Sequence, residues 1–337
     1  MSRTFPLIAL ALILCPVAIG CQGVSHVNSP AAVAPAHDSG TAGLIRALGL
    51  PLIARRSQHF ELIASDGLWS ESVSRKLETF YSAFFDRLAA DGFDVRPPIA
   101  ARLVWIAFDS RADFDRYVAM SECVNLAWLD CFYSGRTNRV AVIRRDVVES
   151  NRGAGEALAA DSSRDTDSPM AALAALAPDV GVGGDWFVPV RHEAAHQLSF
   201  NCGLLTRGVT YPLWVSEGLA TNFELGLPTD GGVNNARRDC VRQCVRSGQA
   251  VPLDELIGAT CVQGSSAKCL RTYGFAWAFF RFAYQRHREE FKRYLAALAE
   301  KRADCGDRAT RLRAEFDRAF GPLDRIEPEW SQFVRGI

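Results

Sequence analysis

Two rhythms of apolar residues run along this chain. Residues 59–64 alternate and predict a strand. Trp69, Val73, Leu77, Phe80, Phe84 and Leu88 recur every three to four positions, which predicts an amphipathic helix. Residues 102–108 (RLVWIAF) form a near-continuous apolar run of strand length, the mark of a strand in the middle of a sheet. Ser110-x-x-Asp113 opens a short helix to about residue 119. Residues 127–133 and 139–143, separated by SGRTN, predict a hairpin. Beyond a stretch rich in Ala, Gly, Ser and Asp at 149–185, the pattern turns helical. Helices are predicted over 188–200, 214–224, the ARRDCVRQCVRSG segment, 251–257, 273–286, 291–300, 308–320 and 330–334. The 273–286 helix is strongly apolar, yet too short and too interrupted by arginine to span a membrane. The expected fold is α+β in two lobes around one cleft. A small mixed sheet with helices occupies 44–148, and a mainly helical lobe with the 188–200 helix at its head occupies 186–337. The 149–185 insertion is a lid, an autoinhibitory segment or a solvated loop.

The first residues stand apart from this pattern. Arg3 begins a short positive region, Pro6–Ile19 is apolar but too short to span a bilayer, and Ala18-Ile19-Gly20 precedes Cys21. Residues 1–20 therefore look like a leader, with Cys21 as a lipidated cysteine; the alternative is an ordinary secretory signal cut nearby. Residues 21–43, rich in Ser, Ala, Pro and Gly, predict a flexible tether. Apart from Cys15 and Cys21, eight cysteines remain: Cys123, Cys131, Cys202, Cys240, Cys244, Cys261, Cys269 and Cys305. An even set in an exported chain predicts disulfides. Cys123–Cys131 and Cys261–Cys269 would each close a short loop, and Cys240 and Cys244 are expected to pair elsewhere than with each other. Lys plus Arg and Asp plus Glu both number 38, so no basic footprint for nucleic acid exists. A hydrophobic content of 48% is that of an ordinary globular core.

The chemistry lies in VRHEAAHQ. His192, Glu193 and His196 stand in the order H-E-x-x-H. Residues four apart on a helix share a face, one turn above the other. His192 and His196 can thus aim two imidazoles at one point, with Glu193 beside it. Ala194, Ala195, Gln197 and Leu198 favour the helix, Pro189 suits its first turn, and Asn201-Cys202-Gly203 ends it. A catalytic zinc takes three protein ligands and keeps a fourth position open. No other histidine lies within a dozen residues of His196, so the third ligand is sought among carboxylates. Glu217 and Glu224, in WVSEGLATNFE, are seven apart on a second predicted helix and share a face. One can bind metal while the other supports a ligand from behind.

The pair HEAAHQ and WVSEGLATNFE resembles the gluzincin peptidases, the thermolysin and aminopeptidase N group, and most closely the bacterial peptidase-MA-like domains of uncharacterised function. The resemblance covers roughly residues 59–335, with motif-level identity over about 35 of them. It implies a two-lobed zincin-like fold and a Zn(2+) held by His192, His196 and Glu217, the glutamate of W-x-x-E-G-x-A. Glu193 would be the general base, and Glu224 would support a ligand. It also implies an edge strand, placed at 126–133, that lines the cleft and pairs with extended peptide. Two departures stand out: twenty residues separate His196 from Glu217, slightly more than in aminopeptidase N, and the exopeptidase G-x-M-E-N motif is absent. Aminopeptidase activity is therefore not implied. An oxyanion donor is expected in such a site, and Tyr273 and Tyr211 are the candidates.

The expected function is an exported zinc metallopeptidase acting on peptide or protein. It would sit in a bacterial periplasm or cell envelope and meet the membrane only through a lipid on Cys21. Two other readings use the same residues: a surface-anchored binding protein that keeps the fold without turnover, and a zinc hydrolase of cell-wall peptide amides.

Overall fold

The computed structural model describes residues 41–98, 101–122, 130–144, 187–225, 234–262, 266–300 and 308–337. The expected leader at 1–20, nearly all of the tether and the 149–185 insertion lie outside these residues, as do residues 126–129 of the expected edge strand.

The first half builds a mixed sheet. Its elements are α1 (Thr41–Leu48), β1 (Ile53–Arg56), β2 (Phe60–Ala64), α2 (Gly67–Ala90), β3 (Leu103–Phe108), α3 (Arg111–Glu122), β4 (Cys131–Ser134) and β5 (Arg139–Ile143). Strand order is β1-β2-β3-β5-β4. β2, β3 and β5 run parallel, while β1 and β4 are antiparallel edges. The apolar run of β3 sits in the centre because both of its faces are covered. Leu103, Trp105 and Ala107 face the larger core; Ile106 and Phe108 face a smaller one shared with Phe114, Tyr117 and Leu48. Helix α2 begins where the Asp66 carboxylate accepts the N–H of Leu68 and Trp69, and it buries Val73, Leu77, Phe80, Phe84 and Leu88 against the larger core.

The second half is helical: α4 (Phe187–Ser199), α5 (Leu213–Phe223), α6 (Asn235–Arg246), α7 (Leu253–Gly258), α8 (Ser266–Arg286), α9 (Arg288–Glu300), α10 (Arg308–Phe320) and α11 (Leu323–Gly336). The fold is α+β, as expected. The larger core runs without a break from the sheet through α2 and α4 into these helices. Trp214 of α5 is wholly buried and stacks on Tyr294 at 5.6 Å, so the apolar α8–α10 region forms the floor beneath α5. α8 comes closest at Gly218, where an added Cβ would lie 2.5 Å from the Ala276 carbonyl oxygen.

Three differences from expectation have physical causes. Helix α1 starts at Thr41, inside the expected tether, because Leu44, Ile45 and Leu48 pack on the smaller core. Strand β1 was not expected: it is an edge whose Ile53, Arg55 and Arg56 face solvent, so no alternation marks it. Helix α11 extends from residue 323, well before the expected 330, and carries Pro328 within it. Of the two expected disulfides, Cys261–Cys269 is not formed. Cys202, Cys240, Cys244, Cys261 and Cys269 carry free thiols. Cys202 turns inward onto the Ser199 carbonyl, and Cys240 points at the Leu270 carbonyl between α6 and α8. Cys269 is buried on α8 while Cys261 is half-exposed after α7, and no bridge joins them. Cys123 and Cys305 lie outside the described residues.

Candidate metal centre

Helix α4 brings the two histidines together. It spans 187–199, against the expected 188–200, and stops where Gly203 takes a φ of +87° just past its end. Helix α5 runs beneath it and lifts Glu217 to the same point. His192 Nε2 lies 3.2 Å from His196 Nε2 and 3.3 Å from Glu217 Oε2, and His196 Nε2 lies 3.5 Å from Glu217 Oε1. Donor atoms about 2.0–2.1 Å from a tetrahedral ion stand about 3.3–3.4 Å from one another. The three side chains form a triangle whose separations are about that length, the two histidines meeting different oxygens of the Glu217 carboxylate. These three residues are the group able to hold a metal ion among the described residues. Glu217 Oε2 is buried and faces His192 Nε2 at 3.3 Å without a well-formed hydrogen bond, so a cation would satisfy it. Two imidazoles and a carboxylate therefore fit a divalent metal.

Behind the triangle stands Glu224, one residue past α5. Its Oε1 lies 3.0 Å from His192 Nδ1, which leaves His192 Nε2 facing the other donors. Glu224 is itself held from α6: Asn234 Nδ2 donates to Oε2 at 2.6 Å, and the Arg237 guanidinium lies 3.6 Å from Oε1. Asn234 also caps α6 by accepting the Arg237 N–H, so one residue starts the helix and grips the glutamate. Sequence reading missed Asn234 and Arg237. The legible signal was the Asn cap, but the partner across the fold was not.

Glu193 lies beside the triangle but outside the donor group. Its Oε2 accepts the backbone N–H of Tyr133 at 2.7 Å. Tyr133 belongs to β4, so a described part of the expected edge strand does border the centre. The four side chains are almost sealed from water: His192 and His196 are 0% exposed, Glu193 and Glu217 2%. Burial pushes the Glu193 carboxyl up, against the pull of both histidines. Burial also disfavours a charged His192, yet hydrogen bonds to Glu217 and Glu224 outweigh it and lift His192 to about 10. For Glu217, burial is likewise outweighed, here by the charge and hydrogen bonds of the histidines, which pull it to about 2.

The two tyrosines go different ways. The Tyr211 hydroxyl accepts the Thr206 N–H at 2.8 Å, in the loop after α4. Tyr273, on α8, lies with its ring 5.8 Å from the Arg237 guanidinium, which puts it on the Glu224 side of the centre.

The family described as "Protein of unknown function (DUF1570)" matches residues 187–303. That stretch opens with α4 and contains His192, Glu193, His196, Glu217, Glu224, Asn234 and Arg237. No curated protein matches the chain.

Proposed function

We propose that this chain is an exported, zinc-dependent hydrolase of peptide bonds, of gluzincin type. His192, His196 and Glu217 hold the metal, and Glu193 is the general base. The observation that carries the proposal is the buried cluster of His192 Nε2, His196 Nε2 and the Glu217 carboxylate, with separations of 3.2, 3.3 (to Oε2) and 3.5 Å (to Oε1), and a carboxylate beside it that is not one of the donors. Three donors, rather than four, suit a metal that keeps a position for reactants. When bound, zinc supplies Lewis-acid activation of a water and of the scissile carbonyl. Glu193 accepts the proton of the attacking water and passes it to the departing amine. Its raised pKa, caused by burial, suits a base that must also give the proton back. Glu224 holds His192 by its far nitrogen, with Asn234 and Arg237 holding Glu224 in turn. The outer edge of β4 is where an extended peptide would pair. Export rests on the leader pattern of residues 3–21.

One observation favours a second reading, a metal-holding binding protein without turnover: the four central side chains are at most 2% exposed, which gives a substrate little access to them. Metal content and hydrolysis of unfolded casein separate the two. The proposal expects one zinc per chain, hydrolysis abolished by chelator and restored by zinc, and zinc lost in Glu217→Ala. Zinc without hydrolysis would favour the second reading. Unchanged zinc content in Glu217→Ala would remove Glu217 from the ligand set.

A further inference from the structure

The helix that carries the histidines has a second polar stripe. Glu193, Gln197 and Asn201 follow one another at intervals of four, so they lie on one side of α4 and its final turn. All three bond to the β4–β5 hairpin. Glu193 accepts the Tyr133 N–H at 2.7 Å. Gln197 Nε2 donates to the Asn138 carbonyl at 3.2 Å, while its Oε1 accepts Trp105 Nε1 at 2.8 Å. Asn201 and Asn138 exchange amide hydrogen bonds in both directions, at 2.9 and 2.7 Å.

Asn138 is the hub. It is the one non-glycine residue with positive φ, +57°, among the described residues. Glycine would serve the turn as well, so the turn alone does not call for asparagine; the amide pair does. The same Asn138 oxygen accepts the Tyr133 hydroxyl at 3.0 Å. The residue whose N–H meets Glu193 is therefore tied at its far end to the residue that grips α4. This matters because β4 is an edge strand of four residues, paired only to β5. Its distance from α4 needs a further constraint, and the Tyr133 N–H is the one hydrogen bond to the Glu193 carboxylate among the described residues.

We propose that Asn138, paired with Asn201, is a positioning residue: it sets the spacing between β4 and α4 and so fixes the orientation of the Glu193 carboxylate. This deepens the hydrolase proposal and rests on it for its catalytic consequence. The carboxylate must meet a proton within hydrogen-bonding reach, and a misplacement of about 1 Å can cost about a hundredfold in rate. Asn138 touches neither the metal donors nor the reacting atoms and acts through Tyr133 and the hairpin's hold on α4.

The test compares Asn138→Gly, Asn201→Ala and the double variant with the parent, all loaded with zinc. Asn138→Gly keeps the positive φ and the carbonyl that Gln197 uses, and removes the amide pair together with the acceptor of the Tyr133 hydroxyl. Asn201→Ala removes the same pair from the helix side, so it reports even where a change in the turn impairs folding. Two readouts are taken: protection of the Tyr133 amide from hydrogen exchange, and kcat and KM separately. The expected result is zinc content of one per chain throughout, Tyr133 protection lower by about tenfold, kcat lower by about tenfold to a hundredfold with KM little changed, and a double variant no worse than Asn138→Gly. Parental protection and kcat in both single variants, or effects that simply add in the double, would overturn the proposal. The exchange readout needs no turnover. If the parent hydrolyses no peptide, the hydrolase proposal fails while the clamp is still judged; if it hydrolyses and Tyr133 protection never changes, only the clamp fails.

Discussion

Gly218 follows the third metal donor, and replacing it sets two effects of opposite sign against each other. Gly218→Ala raises helix propensity by about 1 kcal/mol. It also adds a Cβ 2.5 Å from the Ala276 carbonyl oxygen and 2.8 Å from Phe280 Cβ. Ordinary contacts of that kind are about 3.5–4 Å, and neither neighbour is the flexible end of a side chain, so α5 and α8 must part by about 1 Å. Overpacking of a core costs about 1–3 kcal/mol. The interface also carries the bond from Asn222 to the Trp277 carbonyl, at 3.0 Å, which adds to the cost. The clash wins: the variant should be less stable than the parent by about 1–2 kcal/mol, read from urea unfolding of the metal-free protein. Because Glu217 precedes the displaced position and metal–ligand distances tolerate only about 0.2 Å, zinc affinity measured by chelator competition should fall by about tenfold or more. A variant as stable as the parent, or more so, with parental zinc affinity would refute the view that α8 sets the height of Glu217.

Two further outcomes follow from named contacts. Glu224→Gln removes the charge opposite His192 Nδ1 and Arg237, and should lower zinc affinity or activity by about 10–100-fold; chelator competition and turnover matching the parent would free Glu224 of that role. Glu78 is pushed up by partial burial but held below 4.5 overall by the His59 N–H and ring, at 2.8 and 2.6 Å. A depressed carboxyl stabilises the fold fully above its unfolded value and loses that contribution as pH falls through the lower folded one. Urea midpoints of the parent and Glu78→Gln should therefore differ at pH 6 and converge toward pH 3; a gap that widens on acidification would contradict this.

Some features were legible in the sequence because they depend on local periodicity. The spacing of four in H-E-x-x-H, the apolar stripe of α2 and the unbroken run of β3 each fix an element without knowledge of the rest. The spacing of Glu217 and Glu224 put two carboxylates on one face, and the structure sets one against His192 Nε2 and the other against His192 Nδ1. What stayed hidden depends on pairs distant in the chain. Arg237 reads as one more basic residue on a polar helix until α6 docks against Glu224. Asn138 reads as a turn residue until Asn201 faces it. Edge strand β1 and helix α1 are too short and too exposed for periodicity to mark. An even count of cysteines carries no geometry, and five of those described carry free thiols.

The central claim is that a metal held by His192, His196 and Glu217 works with Glu193 as base. Glu193→Gln tests it most directly, since it keeps size and hydrogen-bonding capacity, touches no metal donor and removes only the proton acceptor. The measurement is casein hydrolysis by parent and variant at equal, stoichiometric zinc. The predicted result is full zinc retention with turnover lower by about 10²–10⁴-fold; equal hydrolysis by the two proteins would contradict the assignment of Glu193.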